Sequence, residues 1–203
     1  MSKMKWKAEK GENPLLSNKI LWECALDAFS SQSYREASLN DIIKNAGINK
    51  GSFYYRFYDK MDLYLSLLSC MGNEKLAFFK EHYTNNQSID FFDSLKDKVM
   101  LSLRFAQQEP RYNGMWRRIL VEDPMIRSQV SEEFSDLSQN VLFEEVEKAK
   151  EEGLLKSKAS SVFIARVILS LFDALDKMIT PNSTDDEIVT EVEHMIEMLR
   201  NGI

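Results

Sequence analysis

The sequence predicts an all-α protein in which a small N-terminal three-helix domain precedes a larger helical domain, with about nine helices in total. Apolar residues recur at helical spacing along most of the chain, and long alternating β-branched runs are absent. Seven glycines and four prolines among 203 residues are few, and they fall mainly between the periodic segments. A chain of this length can form two separate cores.

Each helix is predicted from its periodicity and from the punctuation at its ends. The first should bury one face made of Leu16, Ile20, Cys24 and Ala28. The fourth begins in the small domain and continues into the larger one, so it joins them. The predicted helices cover residues 15–33, 39–46, 50–57, 60–83, 88–108, 111–122, 124–152, 159–180 and 185–201.

The second and third predicted helices are short and joined by a tight turn. Ser38 stands where an N-cap belongs, before apolar residues at helical spacing. Gly47 follows the second helix and can adopt the positive φ that reverses the chain. Two short helices joined in this way are how many proteins place a helix in a groove of DNA.

The third helix combines an apolar inner face with an unusual set of donors. Phe53 and Phe57 are one turn apart and form the inner face. Gly51 costs up to about 1 kcal/mol in helix propensity relative to alanine, and a close backbone approach to a phosphate would offset that cost. The other side chains of this segment are hydrogen-bond donors of the kind that phosphate oxygens and base edges accept. These donors are Asn49, Lys50, Ser52, Tyr54, Tyr55 and Arg56.

Lys60 gives an independent indication of an anion nearby. It lies in the first turn of the fourth helix, where the helix dipole disfavours a cation by roughly 0.3 to 1 kcal/mol. A docked phosphate would reverse that preference. We therefore expect Lys60 to lie close to the DNA backbone.

The charge distribution is compatible with nucleic-acid binding once the chain is divided at residue 60. The whole chain carries a net charge of −6, but residues 1–60 hold ten Lys and Arg against seven Asp and Glu, a net charge of +3. The remainder is therefore at −9. Only charges within a Debye length of about 8 Å act strongly on a phosphate. We divide the chain into a flexible basic arm (1–14), a helix-turn-helix domain (15–60) and a larger, acidic helical domain (61–203).

The arm contains Lys3, Lys5, Lys7 and Lys10, and its role is open. It is either a disordered tail or an arm that reads a groove.

The run Ala46-Gly47-Ile48-Asn49-Lys50-Gly51-Ser52-Phe53-Tyr54-Tyr55-Arg56-Phe57, followed by Lys60-Met61-Asp62-Leu63, resembles the TetR family of bacterial repressors. The resemblance covers about residues 17–65. Ile43, Arg56 and Tyr58 depart from the residues common in the family, and Arg56 leaves the base preference open. The resemblance implies that eight residues lie at or near the DNA: Ser38, Asn49, Lys50, Ser52, Tyr54, Tyr55, Arg56 and Lys60.

The resemblance also implies a homodimer on a palindromic double-stranded operator, with an interface built from the last two helices. Apolar residues cover most of the helix over 162–178 and form a stripe on the last helix, although a monomer core alone could also absorb them. A two-fold dimer would double the contact with DNA. The candidate interface residues are Ile164, Ile168, Leu171, Leu175, Val192, Met195, Ile196 and Leu199.

The resemblance further implies that residues 61–203 form a ligand-binding and dimerisation domain, which binds a small-molecule effector whose identity the sequence does not indicate. Carboxylates including Glu122, Asp123 and Asp173 would suit a cationic effector, although acidic residues usually form a solvated face. Aromatic and Met residues at helical spacing more often fill a core than line a site. The candidate pocket residues are Met100, Phe105, Met115, Trp116, Phe143 and Phe172.

No catalytic site, metal site or cofactor is predicted. His82 and His194 are the two histidines, and neither is near a cysteine or paired acid at ligand spacing. Cys24 and Cys70 should be small core residues, and a redox sensor is the weaker alternative. The absence of a long apolar segment and of a signal peptide predicts a cytoplasmic protein without membrane association.

Two functional hypotheses follow. The first is a repressor that leaves its operator when a small molecule binds. The second is a helical ligand-binding or scaffold protein whose N-terminal domain has lost DNA binding. The salt dependence of binding to upstream DNA separates them.

Overall fold

The computed structural model describes residues 12–83, 90–178 and 183–202, and every regular element in them is helical. This confirms the predicted all-α class, and most helix ends lie close to the predicted ones. Lys3, Lys5, Lys7 and Lys10 of the predicted basic arm, and the predicted start of a helix at residue 88, lie outside the described residues. The elements are a 3₁₀ turn Pro14–Ser17, α1 Lys19–Ser31, α2 Leu39–Asn45, α3 Lys50–Arg56, α4 Lys60–His82, α5 Phe91–Gln108, α6 Pro110–Val121, α7 Pro124–Glu151, α8 Ser161–Met178 and α9 Asp185–Gly202.

The first predicted helix is divided in two at Asn18. The Asn18 side chain accepts a hydrogen bond from the backbone N–H of Leu21 and caps α1, so the preceding turn is a separate 3₁₀ element. Asn13 caps that turn, and its amide donates to the Ser66 carbonyl at 2.6 Å. The turn is therefore held against α4.

The predicted inner face of the first helix was wrong by one position. Leu16 and Ile20 are exposed by 71% and 63%, whereas Cys24 and Ala28 are partly buried. The buried stripe is displaced because the cap at Asn18 starts a new helix and turns Leu21 inward. The residues that α1 and the preceding turn bury are Leu15, Leu21, Ala25, Leu26 and Phe29.

The described residues form two compact units, which we call the first unit and the second unit. The first unit contains residues from 1–81 and 105–134, and the second contains residues from 82–104 and 135–203. The first unit thus includes most of α4, all of α6 and the start of α7. The functional division at residue 60 remains a prediction.

Within the first unit, α6 lies against α1 and is held to it at both ends. Arg111 at the start of α6 forms ion pairs with Glu23 and Asp27 of α1, at 2.8 and 2.6 Å. Arg118, near the other end of α6, donates to the Ser30 carbonyl at 2.9 Å. Between them the helices approach closely at Gly114, where an added Cβ would lie 3.1 Å from the Ser30 oxygen.

The second unit packs α8 against α9 around a core of its own. Seven of the eight residues predicted for a dimer interface lie inside this core, with at most 7% of their surface exposed. A side chain that is buried within one chain has little surface left for contact with another, so the interface prediction is corrected for these seven; only Leu171 is partly exposed. The seven are Ile164, Ile168, Leu175, Val192, Met195, Ile196 and Leu199.

Candidate nucleic-acid interface

The inner face of α3 anchors this helix in the first unit. Phe53 and Phe57 are fully buried, and their rings stack with centroids 5.2 Å apart. Ile42 and Ile43 of α2 are buried in the same core, so the larger Ile43 side chain is accommodated. Burying a phenylalanine contributes about 1.5 to 3 kcal/mol, so two of them hold a seven-residue helix that would not form alone.

The turn between α2 and α3 has the predicted conformation. Gly47 has φ of +66°, which a residue with a Cβ adopts only at a cost of roughly 1 to 2 kcal/mol. Ser38 caps α2 by accepting from the Asp41 N–H at 3.3 Å, and Asn49 caps α3 by accepting from the Ser52 N–H at 2.8 Å. These caps fix where each helix begins, and therefore which side chains α3 turns outward.

The outward face of α3 carries most of the predicted donors. Tyr55 is 80% exposed, and Arg56 at the end of the helix is half-buried. Ser38 is also half-buried. The remaining predicted residues are exposed, and they are Asn49, Lys50, Gly51, Ser52 and Tyr54.

Gly51 and Asn49 have a structural role that the sequence did not indicate. A Cβ added at Gly51 would lie 3.2 Å from the Asn49 side-chain oxygen that caps the helix. Glycine at this position therefore leaves room for the cap, whether or not a phosphate approaches the backbone. The Asn49 amide group can still donate, but its oxygen is already used.

Lys60 is directed inward, towards the connection between α1 and α2. Its ammonium donates to the carbonyls of Tyr34 and Ala37 at 2.6 and 3.0 Å, with a longer contact to Arg35, and lies 4.4 Å from the centre of the Tyr34 ring. Burial lowers the pKa of Lys60, and the nearby Glu122 carboxylate partly opposes that shift. The sequence prediction placed Lys60 on a phosphate; here its donors are satisfied inside the protein.

Residues after α6 hold the same connection from its other side. Glu122 is 8% exposed and accepts a hydrogen bond from the backbone N–H of Tyr34 at 2.6 Å. Asp123 forms an ion pair with Arg35 at 2.8 Å. Sequence reasoning missed these contacts because 88 residues separate the partners in each case.

The same contacts correct the suggestion of a cationic effector. Glu122 and Asp123 were candidates for such a ligand, but both carboxylates already have partners within the protein. The side chain of Asp173, the third candidate, lies outside the described part.

The geometry is therefore a short, firmly anchored helix that presents hydroxyl and cationic groups after a glycine turn. Residues 21–67, which span α1 to α4, match the family model described as bacterial regulatory proteins of the tetR family. Residues 21–67 belong to the TetR family. With this segment, the chain is a transcriptional regulator.

Comparisons with individual regulators extend beyond this segment. The probable acrEF/envCD operon repressor of Escherichia coli K12 is 21% identical over 165 residues, which are 79% of this chain and 74% of that protein. The biofilm operon regulator IcaR of Staphylococcus epidermidis is 31% identical over 75 residues, covering 37% of this chain and 40% of IcaR. A crystal structure of a TetR-family regulator from Chloroflexus aurantiacus has the same fold, with 24% identity and a TM-score of 0.72 over 93% of this chain and 94% of that one.

The six residues predicted for an effector pocket do not have one common environment. Phe105 and Met115 are buried in the core of the first unit, and Trp116 is exposed. Met100 and Phe172 pack against the core of the second unit, where Phe143 is also half-buried. None of the six lines a cleft of about 350 Å³ in the second unit, which is formed by Asp90, Phe91, Phe92, Leu154, Lys156 and Arg200.

The other predicted sites concern metals, thiols and membranes. Burial raises the pKa of Cys24, and raises that of Cys70 to about 12, so neither thiol is activated and a redox role is disfavoured. In the described residues, no group of three or more His, Cys, Asp or Glu could hold a metal ion. No helix in that same part of the chain is both long and apolar enough to span a membrane.

Proposed function

We propose that this regulator is a homodimeric repressor that binds a palindromic operator through α3 and is released by a small molecule. The observation that carries the proposal is the division of α3 into a buried aromatic face and an outward face of donors. A helix that only stabilised the fold would not need to expose a tyrosine by 80% beside a lysine and a serine. The protein would act where the bacterial chromosome is, in the cytoplasm.

The exposed donors divide into two roles in this proposal. Lys50, Tyr54 and Tyr55 would bind phosphate oxygens, which positions the helix without reading sequence. Ser52 and Arg56 would face base edges, where arginine commonly recognises guanine. Ser38, Asn49 and Gly51 would act mainly through the caps that position those donors.

Lys60 is assigned differently from the sequence prediction. Because its ammonium already donates to backbone carbonyls of the α1–α2 connection, we assign it to positioning α2 and α3. Its effect on DNA affinity would then be indirect.

The dimer would use the part of α8 that is not buried in the chain's own core. Val162 and Phe163 are exposed, the latter by 58%, and Met198 of α9 is 69% exposed. Val167, Leu169, Leu171 and Phe172 are partly exposed on α8. Exposed apolar side chains of this size often mark an interface between chains. Two α3 helices related by a two-fold axis would contact two half-sites of a palindrome.

Release requires an effector that prefers one state of the protein. A ligand with equal affinity for the DNA-binding and released states would shift nothing. The residues predicted for the effector site are divided between the two units, so an effector site within one unit would use either Phe105, Met115 and Trp116 of the first or Met100, Phe143 and Phe172 of the second.

The test is selection of genomic DNA by the purified protein. The wild-type chain and a Lys50→Glu variant are each incubated with random fragments of the source genome, and bound fragments are sequenced. A repressor enriches a small set of palindromic sites, and the variant enriches none because its charge now repels phosphate. The alternative, a scaffold or ligand-binding protein that has lost DNA binding, predicts no enrichment by either protein. That outcome would end the proposal.

A further inference from the structure

The inner face of α4 carries a cation among residues that are otherwise apolar or aromatic. Tyr64, Leu68 and Met71 are at most 2% exposed, and they lie on one side of the helix. Lys75 follows Met71 by four residues and Tyr64 by eleven, so it lies on this same side. Lys75 therefore lies on the side of α4 that faces the core of the first unit, and it is half-buried.

The surroundings of Lys75 are aromatic. Its ammonium lies 5.8 Å from the centre of the Phe79 ring, and it is only partly exposed to solvent. Phe78 packs against the core of the first unit, with its ring 5.5 Å from that of Phe105. The neighbouring carboxylate of Glu74 accepts a hydrogen bond from the Tyr112 hydroxyl. Burial lowers the pKa of Lys75, since no opposite charge compensates the lost hydration.

Lys75 differs from the other half-buried lysines of the described residues. Lys96 and Lys98 form ion pairs with Glu193 and Glu145, at 2.5 and 2.7 Å. Lys60 and Lys150 donate to backbone carbonyls. In the described part of the chain, the Lys75 ammonium has no hydrogen bond and no ion pair, and it lies 5.8 Å from the centre of the Phe79 ring.

An interior ammonium without a partner is costly, because burying a charge without a compensating charge or hydrogen bond removes its hydration. The protein could lower this cost by replacing Lys75 with an apolar residue of similar length. Retaining a lysine there is useful if an anion arrives to pair with it. The aromatic side chains around it would receive the apolar part of the same molecule.

We propose that Lys75 is the anion-binding residue of the effector site, and that the effector is an amphipathic molecule with an apolar body and one carboxylate or phosphate group. This inference rests on the proposed function, because it assigns the effector class of the same regulator. The ligand's charge would pair with the Lys75 ammonium, while its apolar part would pack near Phe78 and Phe79.

The test is calorimetric titration of the full chain with three probes that share one twelve-carbon chain: dodecanoate, dodecyl phosphate and 1-dodecanol. We expect one or both anions to bind at least tenfold more tightly than the alcohol, and comparison of the two anions identifies the preferred head group. Lys75→Met should remove that difference and leave the alcohol unchanged, whereas Lys75→Arg should retain it. Lys80→Met changes an exposed lysine of the same helix and should have no effect.

Stability without any probe provides a second measurement. Because Lys75 has no hydrogen-bond or ion-pair partner among the described residues, Lys75→Met should unfold at the same or a higher temperature than the wild type. A less stable variant would show that the ammonium has an internal partner, and would overturn the inference. The inference also fails if Lys75→Met binds the anions as tightly as the wild type, or if no anion binds better than the alcohol.

DNA binding is measured separately, by titrating the selected genomic fragments with protein that has not been mixed with any of the three probes. If the protein binds DNA but its affinity for the anions does not depend on Lys75, only the proposed effector class is wrong. If the affinity for the anions depends on Lys75 but the protein binds no DNA, the proposed function is wrong and the anion site is supported.

Discussion

At the scale of single residues, Lys60 shows how a side chain with a familiar sequence context can have a different role in the structure. The sequence places it in the first turn of α4, where a cation is unfavourable unless an anion is near. The structure supplies backbone carbonyls of Tyr34 and Ala37 in place of an external anion. Carbonyl oxygens satisfy an ammonium in the same way as phosphate oxygens, so the local pattern could not separate these roles.

The variant Lys60→Met tests this assignment, because it keeps the apolar stem and removes the ammonium. We expect the free energy of unfolding to fall by about 2 kcal/mol, since hydrogen bonds to a charged group are lost and two buried carbonyls lose their partner. The slope of log affinity for DNA against log salt should stay as in the wild type. Chemical denaturation and binding titrations measure these two quantities.

Lys50→Met is the matched control, because Lys50 is exposed on α3. It should leave the stability unchanged and reduce the salt slope by about 1, as expected for one lost phosphate contact. If Lys60→Met instead behaves like this control, Lys60 contacts DNA directly and the structural assignment is wrong.

At the scale of elements, helix positions followed from the sequence more reliably than helix faces. The cap at Ser38 and the turn at Gly47 are local features, and both have the predicted form. The cap at Asn49 is equally local, but it was not predicted. The inner face of α1 was misassigned because it depends on the cap at Asn18, which competes with a continuous helix. The apolar faces of α8 and α9 were predicted correctly. Periodicity does not reveal, however, whether the surface that covers these faces belongs to the same chain or to a partner.

The close approach of α6 to α1 gives a prediction about two glycines. Gly72 lies within α4 with nothing within 4 Å of an added Cβ, so Gly72→Ala should stabilise the protein by roughly 0.5 to 1 kcal/mol through helix propensity. Gly114→Ala should fail to show this gain and should destabilise, because its Cβ would lie 3.1 Å from the Ser30 carbonyl oxygen, which also accepts from Arg118. Thermal unfolding of the two variants measures the difference. Equal stabilisation by both would show that α6 is free to move away from α1.

The ion pair between Arg111 and Glu109 at the start of α6 gives a prediction about pH. Hydrogen bonding from Arg111 lowers the pKa of Glu109 below its usual value of 4.5. A carboxylate with a lowered folded-state pKa stabilises the fold above its usual pKa, and that contribution is lost as the pH falls through the lowered value. The wild type should therefore be more stable than Glu109→Gln near about pH 7, and this difference should shrink below about pH 4.

Chemical denaturation of both proteins across this pH range measures the effect. A difference that stays constant down to about pH 2 would mean that the charge of Glu109 does not contribute. The neighbouring Glu23 and Asp27 keep their pairs with Arg111 in both proteins, so the comparison isolates one carboxylate.

At the scale of the whole molecule, the contacts that hold the α1–α2 connection could not be predicted. Glu122 and Asp123 contact Tyr34 and Arg35 across 88 residues of sequence. The motif identified α3 because its residues are adjacent in the chain and have local chemistry. The contacts of α4 and of the α6–α7 junction with the α1–α2 connection form only when distant segments meet, and periodicity carries no information about them.

The dimer proposal predicts the effect of one charge on assembly. Phe163→Asp should convert the protein to monomers, because the exposed phenylalanine would place a carboxylate in an apolar interface. Sedimentation should show half the wild-type mass, with unchanged thermal unfolding of the isolated chain. Met125→Asp is the control, since Met125 is a similarly exposed apolar residue in the first unit and should leave the mass unchanged. A dimeric Phe163→Asp would place the interface elsewhere.

The central claim, that the outward face of α3 holds duplex DNA through phosphate contacts, is tested most directly by the salt dependence of affinity. Binding of the wild-type protein to its selected genomic fragment is measured by fluorescence anisotropy between about 50 and 200 mM salt. The account predicts a fall in affinity of about 10³ or more, as expected for a dimer that contacts six or more phosphates. An affinity that does not change across this range, or no binding even at the lowest salt, would contradict it.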